Sequence, residues 1–181
     1  MAIIADDIEL RLSVPSASAG DAAVQADPNA SLGKYMSTTV LAAGLNSLFG
    51  NITGEENAAS ASDYRCFFVV NTHATLTLMD AVVWITDPVG GADLKIAVDK
   101  VGPVLKGASV PQASVIISDT APPANVGLFS AAPTSQATGL SLGELGPGQC
   151  RAVWVKRTAT NSAAMSNDGV TIHVAGESPV A

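Results

Sequence analysis

The chain has few groups able to carry acid–base, nucleophilic or metal chemistry. They are two histidines, two cysteines, sixteen carboxylates and the serines. His73 falls in an expected turn and His173 in the last expected strand. Neither forms a His-x-x-x-His ligand pair. The serines are read as lacking a Gly-x-Ser-x-Gly elbow, so a triad would have to assemble from distant positions. Cys66 and Cys150 lack metal-ligand spacing and are too few for a disulfide framework. They read as small buried hydrophobes, with a cross-sheet disulfide as the alternative. Asp87, Asp93 and Asp99 are six residues apart, which is not the alternating-oxygen spacing of a calcium loop. No Gly-x-x-x-x-Gly-Lys-Ser/Thr loop occurs, and Gly90-Gly91 and Gly143 sit in expected turns with no helix behind them. Asn167-Asp168-Gly169 reads as a hairpin turn. The expectation is therefore a non-enzymatic chain with no catalytic residue, cofactor or metal.

Charge narrows the partners. The 181 residues carry a net charge of −7, and residues 1–60 account for most of it: seven acids against Arg11 and Lys34, a net of −5. Arg151, Lys156 and Arg157 cluster late but read as a solvated or interface strand edge. Affinity for phosphates comes largely from Lys and Arg, so no nucleic-acid partner is expected. Charged residues make up 14% and apolar ones 48%, with aromatics at 4%. Charge is thus well below the roughly 25% of an average soluble domain, and some of the surface is expected to meet protein. Membrane insertion does not explain this, because the longest apolar runs, Cys66–Val70 and Ala81–Ile85, are of strand length, not the roughly 18 residues of a span. The opening Met1–Asp7 has no basic segment and is not read as a secretory signal, which places folding in a reducing cytoplasm.

The elements that must position these groups are strands. Apolar runs at Arg65–Val70, Thr75–Ile85, Leu94–Val98, Ser114–Ile117, Val126–Phe129, Thr138–Leu142, Cys150–Lys156 and Val170–Val174 are separated by Gly/Pro turns, among them Asp87–Gly91. Short strands at near-even spacing predict an all-β sandwich or barrel over residues 61–181. Residues 1–60 read differently. Ile8, Leu10 and Leu12 alternate as a short strand and Pro15 stops it. The stretch 16–31 is too polar to drive a core, and Met36–Phe49 is a second weak structured stretch. The expectation is an extended N-terminal arm whose removal (residues 1–15) leaves the sandwich folded. Several strands are apolar on both faces. In Arg151–Val155 the inward choice is Val153 and Val155, which turns Trp154 outward. Surface of this kind is covered by another element or by another subunit. Candidate interface residues are Ile3, Ile4, Leu10, Leu12, Leu48, Phe49, Trp84 and Trp154, with both tryptophans also readable as core.

Two local patterns carry a resemblance. Phe67–Thr72, Ala74–Leu78 and Ala81–Ile85 resemble the strand, Asn-Thr turn, strand hairpin of immunoglobulin-like domains. Leu145-Gly146-Pro147-Gly148-Gln149 resembles the turn that feeds a long strand in the same domains. Asp27–Gly33, Gly54–Glu56, Asp63–Leu76 and Leu142–Thr158 resemble virion structural proteins of tailed bacteriophages. The resemblance implies an immunoglobulin-like sandwich and a capsid decoration or cement protein that binds the major capsid protein and copies of itself. It also implies a place in the virion, assembled in the host cytoplasm, with no cofactor and no membrane. A tail, neck or baseplate component and a head-fibre or adhesin-like glycan-binding module are the alternatives.

Overall fold

A computed structural model of the chain describes residues 2–86, 90–131, 133–165 and 169–179. The Asp87–Gly91 and Asn167–Gly169 turns fall mostly outside these residues. The strands are β1 (Ile8–Val14), β2 (Tyr35–Val40), β3 (Ser62–Asn71), β4 (Leu78–Thr86), β5 (Ala92–Val98), β6 (Val104–Leu105), β7 (Ser130–Ala131), β8 (Leu140–Leu145), β9 (Gln149–Ala159) and β10 (Thr171–Glu177). A short α-helix, α1 (Gly54–Ala58), starts on a Thr53/Glu56 capping box. The strands form a seven-stranded sheet in the order β2-β1-β3-β9-β5-β7, with β6 beside β9, and a three-stranded sheet in the order β10-β4-β8. Every strand pairing among the described residues is antiparallel. The all-β sandwich read from the sequence is the fold.

Strand periodicity explains the two cores. Along β3 and β9, alternate residues face opposite sides. Phe67, Val69, Val153 and Val155 point between the sheets and meet Leu78, Ala81, Val83, Ile85, Leu142 and Leu145 from the small sheet. Cys66, Phe68, Val70, Cys150, Ala152 and Trp154 point the other way, and that face is also closed. Met36, Ala113 and Ile116 cover it, with Leu32, Val126 and Phe129 at its margin. Each large side chain buried in either core contributes roughly 1.5–3 kcal/mol.

Three expectations are corrected here. Residues 1–60 are not an arm. β1 lies between β2 and β3, and Leu12, Val14, Tyr35 and Met36 are buried. The partner strand β3 lies some fifty residues downstream, where local pattern cannot announce it. The polar stretch after β1 is held by hydrogen bonds instead of apolar contact. Ser31 Oγ donates to Cys66 O (2.7 Å) and accepts from Ser13 N (2.7 Å), and Gln25 Nε2 donates to Ser13 O (2.9 Å) and Ala30 O (3.0 Å).

Second, Ser114–Ile117 and Val126–Phe129 form the irregular cover of the outer core, not strands. Each makes a single bridge, Gly33 with Val115 and Asp99 with Val126. Pro111, Pro122 and Pro123 interrupt any ladder there. Third, β3 and β4 are not a hairpin, because the chain changes sheet between them. Asn71 braces that corner: its Nδ2 donates to Leu76 O and Leu145 O, both at 2.8 Å, and its Oδ1 accepts from His73 N at 3.0 Å.

Candidate interaction face

The expected interface residues separate into groups. Leu12 and Trp154 are buried within the chain. Trp154 does face away from Val153 and Val155, but the chain's own cover closes that side, so the outward expectation is corrected. Its Nε1 donates to Asp99 Oδ2 at 3.0 Å. Ile3, Leu10, Leu48 and Phe49 are partly buried against the inter-sheet core. Ile4 remains exposed and Trp84 partly exposed.

Phe49 has a specific seat. Arg65 and Arg157 share the inner face of β3 and β9 with Phe67, Val69, Val153 and Val155. Phe49 packs beside them, with the Arg157 guanidinium 4.6 Å and the Arg65 guanidinium 5.4 Å from its ring centre. Arg157 pairs with Asp63 and donates to Gly50 O, while Arg65 reaches Asp119 (3.1 Å) and Asn29 (3.3 Å). Arg65 Nε is buried with no hydrogen-bond partner among the described residues.

The groups with chemical potential have structural partners. Asp99 is fully buried and accepts from Trp154 Nε1, Ser114 N (2.8 Å) and Val101 N (2.9 Å). His73 Nδ1 accepts from Thr75 N and Leu76 N and so fastens its turn. Cys66 and Cys150 are free and buried. Burial raises both thiols, Cys66 well above the usual range and Cys150 to about 12. Among the described residues no three His, Cys, Asp or Glu groups gather where they could hold a metal ion. No helix among them is long and apolar enough to cross a membrane.

One pattern escaped the sequence reading. Gly139-Leu140-Ser141-Leu142-Gly143 has the spacing of a nucleophile elbow. That motif needs a strand, a sharp turn and a helix. Here Leu140–Gly143 runs along β8, with no helix after it. Ser141 Oγ accepts from Gly143 N at 3.2 Å, and Gly143 is a strand residue at φ 75°, not part of a turn.

What stays open is the outer face of the small sheet. Val83 and Ile85 point into the core, so Val82, Trp84 and their cross-strand neighbours His173 and Ala175 point out. Trp84 and His173 stack with ring centres 5.1 Å apart and planes 8° from parallel. His173 Nε2 lies 2.8 Å from Thr86 Oγ1. A bulge sets Asp80 at φ 48°. Beside Val82, a shallow depression is lined by Asp80, Gln136, Ala137, Gly176 and Glu177. Strands β4, β8 and β10 carry Asp80, Glu144 and Glu177 and no Lys or Arg.

Comparison with known proteins finds no matching family model, no matching curated protein and no matching solved structure.

Proposed function

We propose that the chain is a structural virion protein of a tailed bacteriophage. In this reading it is a non-enzymatic capsid decoration or cement protein with an immunoglobulin-like sandwich. It attaches to neighbouring subunits of the major capsid protein through the outer face of its small sheet. The sequence resemblance supports the virion reading.

One observation carries the choice of face. Trp84, stacked on His173, stays partly exposed on an open sheet face, while the apolar residues on both faces of β3 and β9 are covered by the chain's own residues. An aromatic with an apolar body and a hydrogen-bonding rim is the usual anchor of a protein interface. The acids of this face, with no Lys or Arg among them, call for a basic patch on the partner. The reading involves no cofactor, nucleic acid or membrane.

The test is add-back of purified chain to heads that lack it. Saturation at a copy number tied to capsid subunits is expected. Trp84→Ala should weaken attachment by about 2 kcal/mol, roughly thirtyfold in affinity, with the melting temperature little changed. Equal attachment by the variant overturns the choice of face. Co-purification with detached tails at low copy points instead to the tail, neck or baseplate reading.

The depression beside Val82 favours a second reading, a glycan-binding module. Asp80, Gln136 and Glu177 offer hydroxyl partners on the face that carries Trp84. Binding on a carbohydrate array, lost in Trp84→Ala, would favour it.

A further inference from the structure

The sandwich closes most of its sheet edges. β2 is capped by the chain before it, with Asp21 N donating to Met36 O (2.8 Å) and Thr38 N to Ala23 O (3.0 Å). β7 has two residues. On β8, Arg151 Nη1 donates to Leu142 O at 3.1 Å. β10 is different. It runs for seven residues without Lys, Arg or Pro, the usual devices against edge pairing. Its outer edge carries no backbone hydrogen bond among the described residues.

Which groups face outward follows from one bond. Ile85 N donates to Pro133 O at 3.0 Å, on the side of β4 away from β10. In an antiparallel strand the N–H and C=O of one residue point the same way. Ile172 stands opposite Ile85, and Val174 opposite Val83, at sites where β4 directs its groups away from β10. Ile172 and Val174 therefore project their own N–H and C=O groups from the free edge.

The geometry points to a second copy of this chain as the occupant: β10 pairs antiparallel with β10 of the copy across a two-fold axis at Val174. Val174 then meets Val174 of the copy as a hydrogen-bonded pair, and Ile172 meets Gly176, which joins the two small sheets into one. On the inner face Ile172 and Val174, only partly buried in one chain, gain apolar neighbours. On the outer face His173 stands opposite Ala175, and Glu177 opposite Thr171. No like charges face each other, and His173 is the diagonal neighbour of Glu177 of the copy, within reach of a charge-assisted contact. A β10 with a second charge of the same sign at position 171 would not match itself in this way. This pairing does not depend on the virion reading, because it uses the strand edge and not the open face.

Three measurements on the full chain test it. Light scattering should give a concentration-dependent dimer, and Ala175→Lys should weaken it by about tenfold or more while leaving the melting temperature of the dilute, monomeric chain unchanged. Amide exchange should protect the Ile172 and Val174 N–H groups in the dimer and not in Ala175→Lys. An equal mixture of His173→Cys and Ala175→Cys chains under mild oxidation should form a disulfide between the two, whereas neither variant should cross-link with itself. A chain that stays monomeric near 1 mM, where only about 4 kcal/mol of association is demanded, overturns the pairing. Self-linking of either cysteine variant overturns the register. Protection that appears only when phage heads are added assigns the edge to another protein and overturns the self-pairing.

Discussion

Asp99 organises the outer core. It follows β5 at full burial and accepts from the Trp154 indole and the Ser114 and Val101 amides, while its carbonyl accepts from Arg151 Nη2 at 3.0 Å. A buried carboxylate is tolerated only when donors replace its water. Removing it strands those donors without acceptors in a fully buried site. Asp99→Ala should therefore cost about 3–5 kcal/mol in a urea titration, with Trp154 losing its near-ultraviolet circular dichroism. An unchanged midpoint would show that the cover over this face contributes little. Nothing in the local sequence marks Asp99 for this work, because its donors lie 2, 15 and 55 residues away.

At the scale of elements, the order of strands in the large sheet governs what can be removed. β1 is an interior strand, bonded to β2 on one side and to β3 on the other. Deleting residues 2–15 exposes the edge of β3 and removes Leu12 and Val14 from the packing. Loss of any cooperative thermal transition is expected, checked by calorimetry. A truncated chain that melts cooperatively would mean that the remaining strands close without β1. The apolar positions of this region were legible: Ile8, Leu10 and Leu12 alternate as a strand should. Their destination was not, because a strand's partner is chosen by register and burial over the whole chain, not by its own pattern. The loop 41–53 is similar. Leu48 and Phe49 read as sticky, yet only the inward-facing Arg65 and Arg157 show what Phe49 fits.

For the whole molecule, the two buried thiols tie stability to alkaline pH. Burial raises both folded-state values, Cys150 from 9.0 to about 12 and Cys66 well above 9.0. The protonated thiol is the form the fold accepts. Its contribution is fully present below pH 9, where both states hold the proton. As pH rises from 9 toward 12 the unfolded chain ionises first, and stability falls by about 1.4 kcal/mol per pH unit for each thiol still protonated in the fold. Urea midpoints measured from pH 8 to 11 should drop, and Cys150→Ala should flatten the slope by one proton. An equal slope in the variant would place the Cys150 thiol in contact with solvent.

The sequence by itself determined the class of fold and the direction of its apolar residues. Period-two alternation and Gly/Pro turns specify strands wherever they occur, because side chains alternate across any extended backbone. Tertiary structure alone decided which strands become neighbours, which of two apolar faces is closed from within, and where open surface is left. Those outcomes depend on contacts between residues far apart in the chain. The same alternation in β9 fits a Trp154 that faces a partner or one that lies beneath residues 113–129. Only the covering segment, irregular and broken by prolines, distinguishes the two.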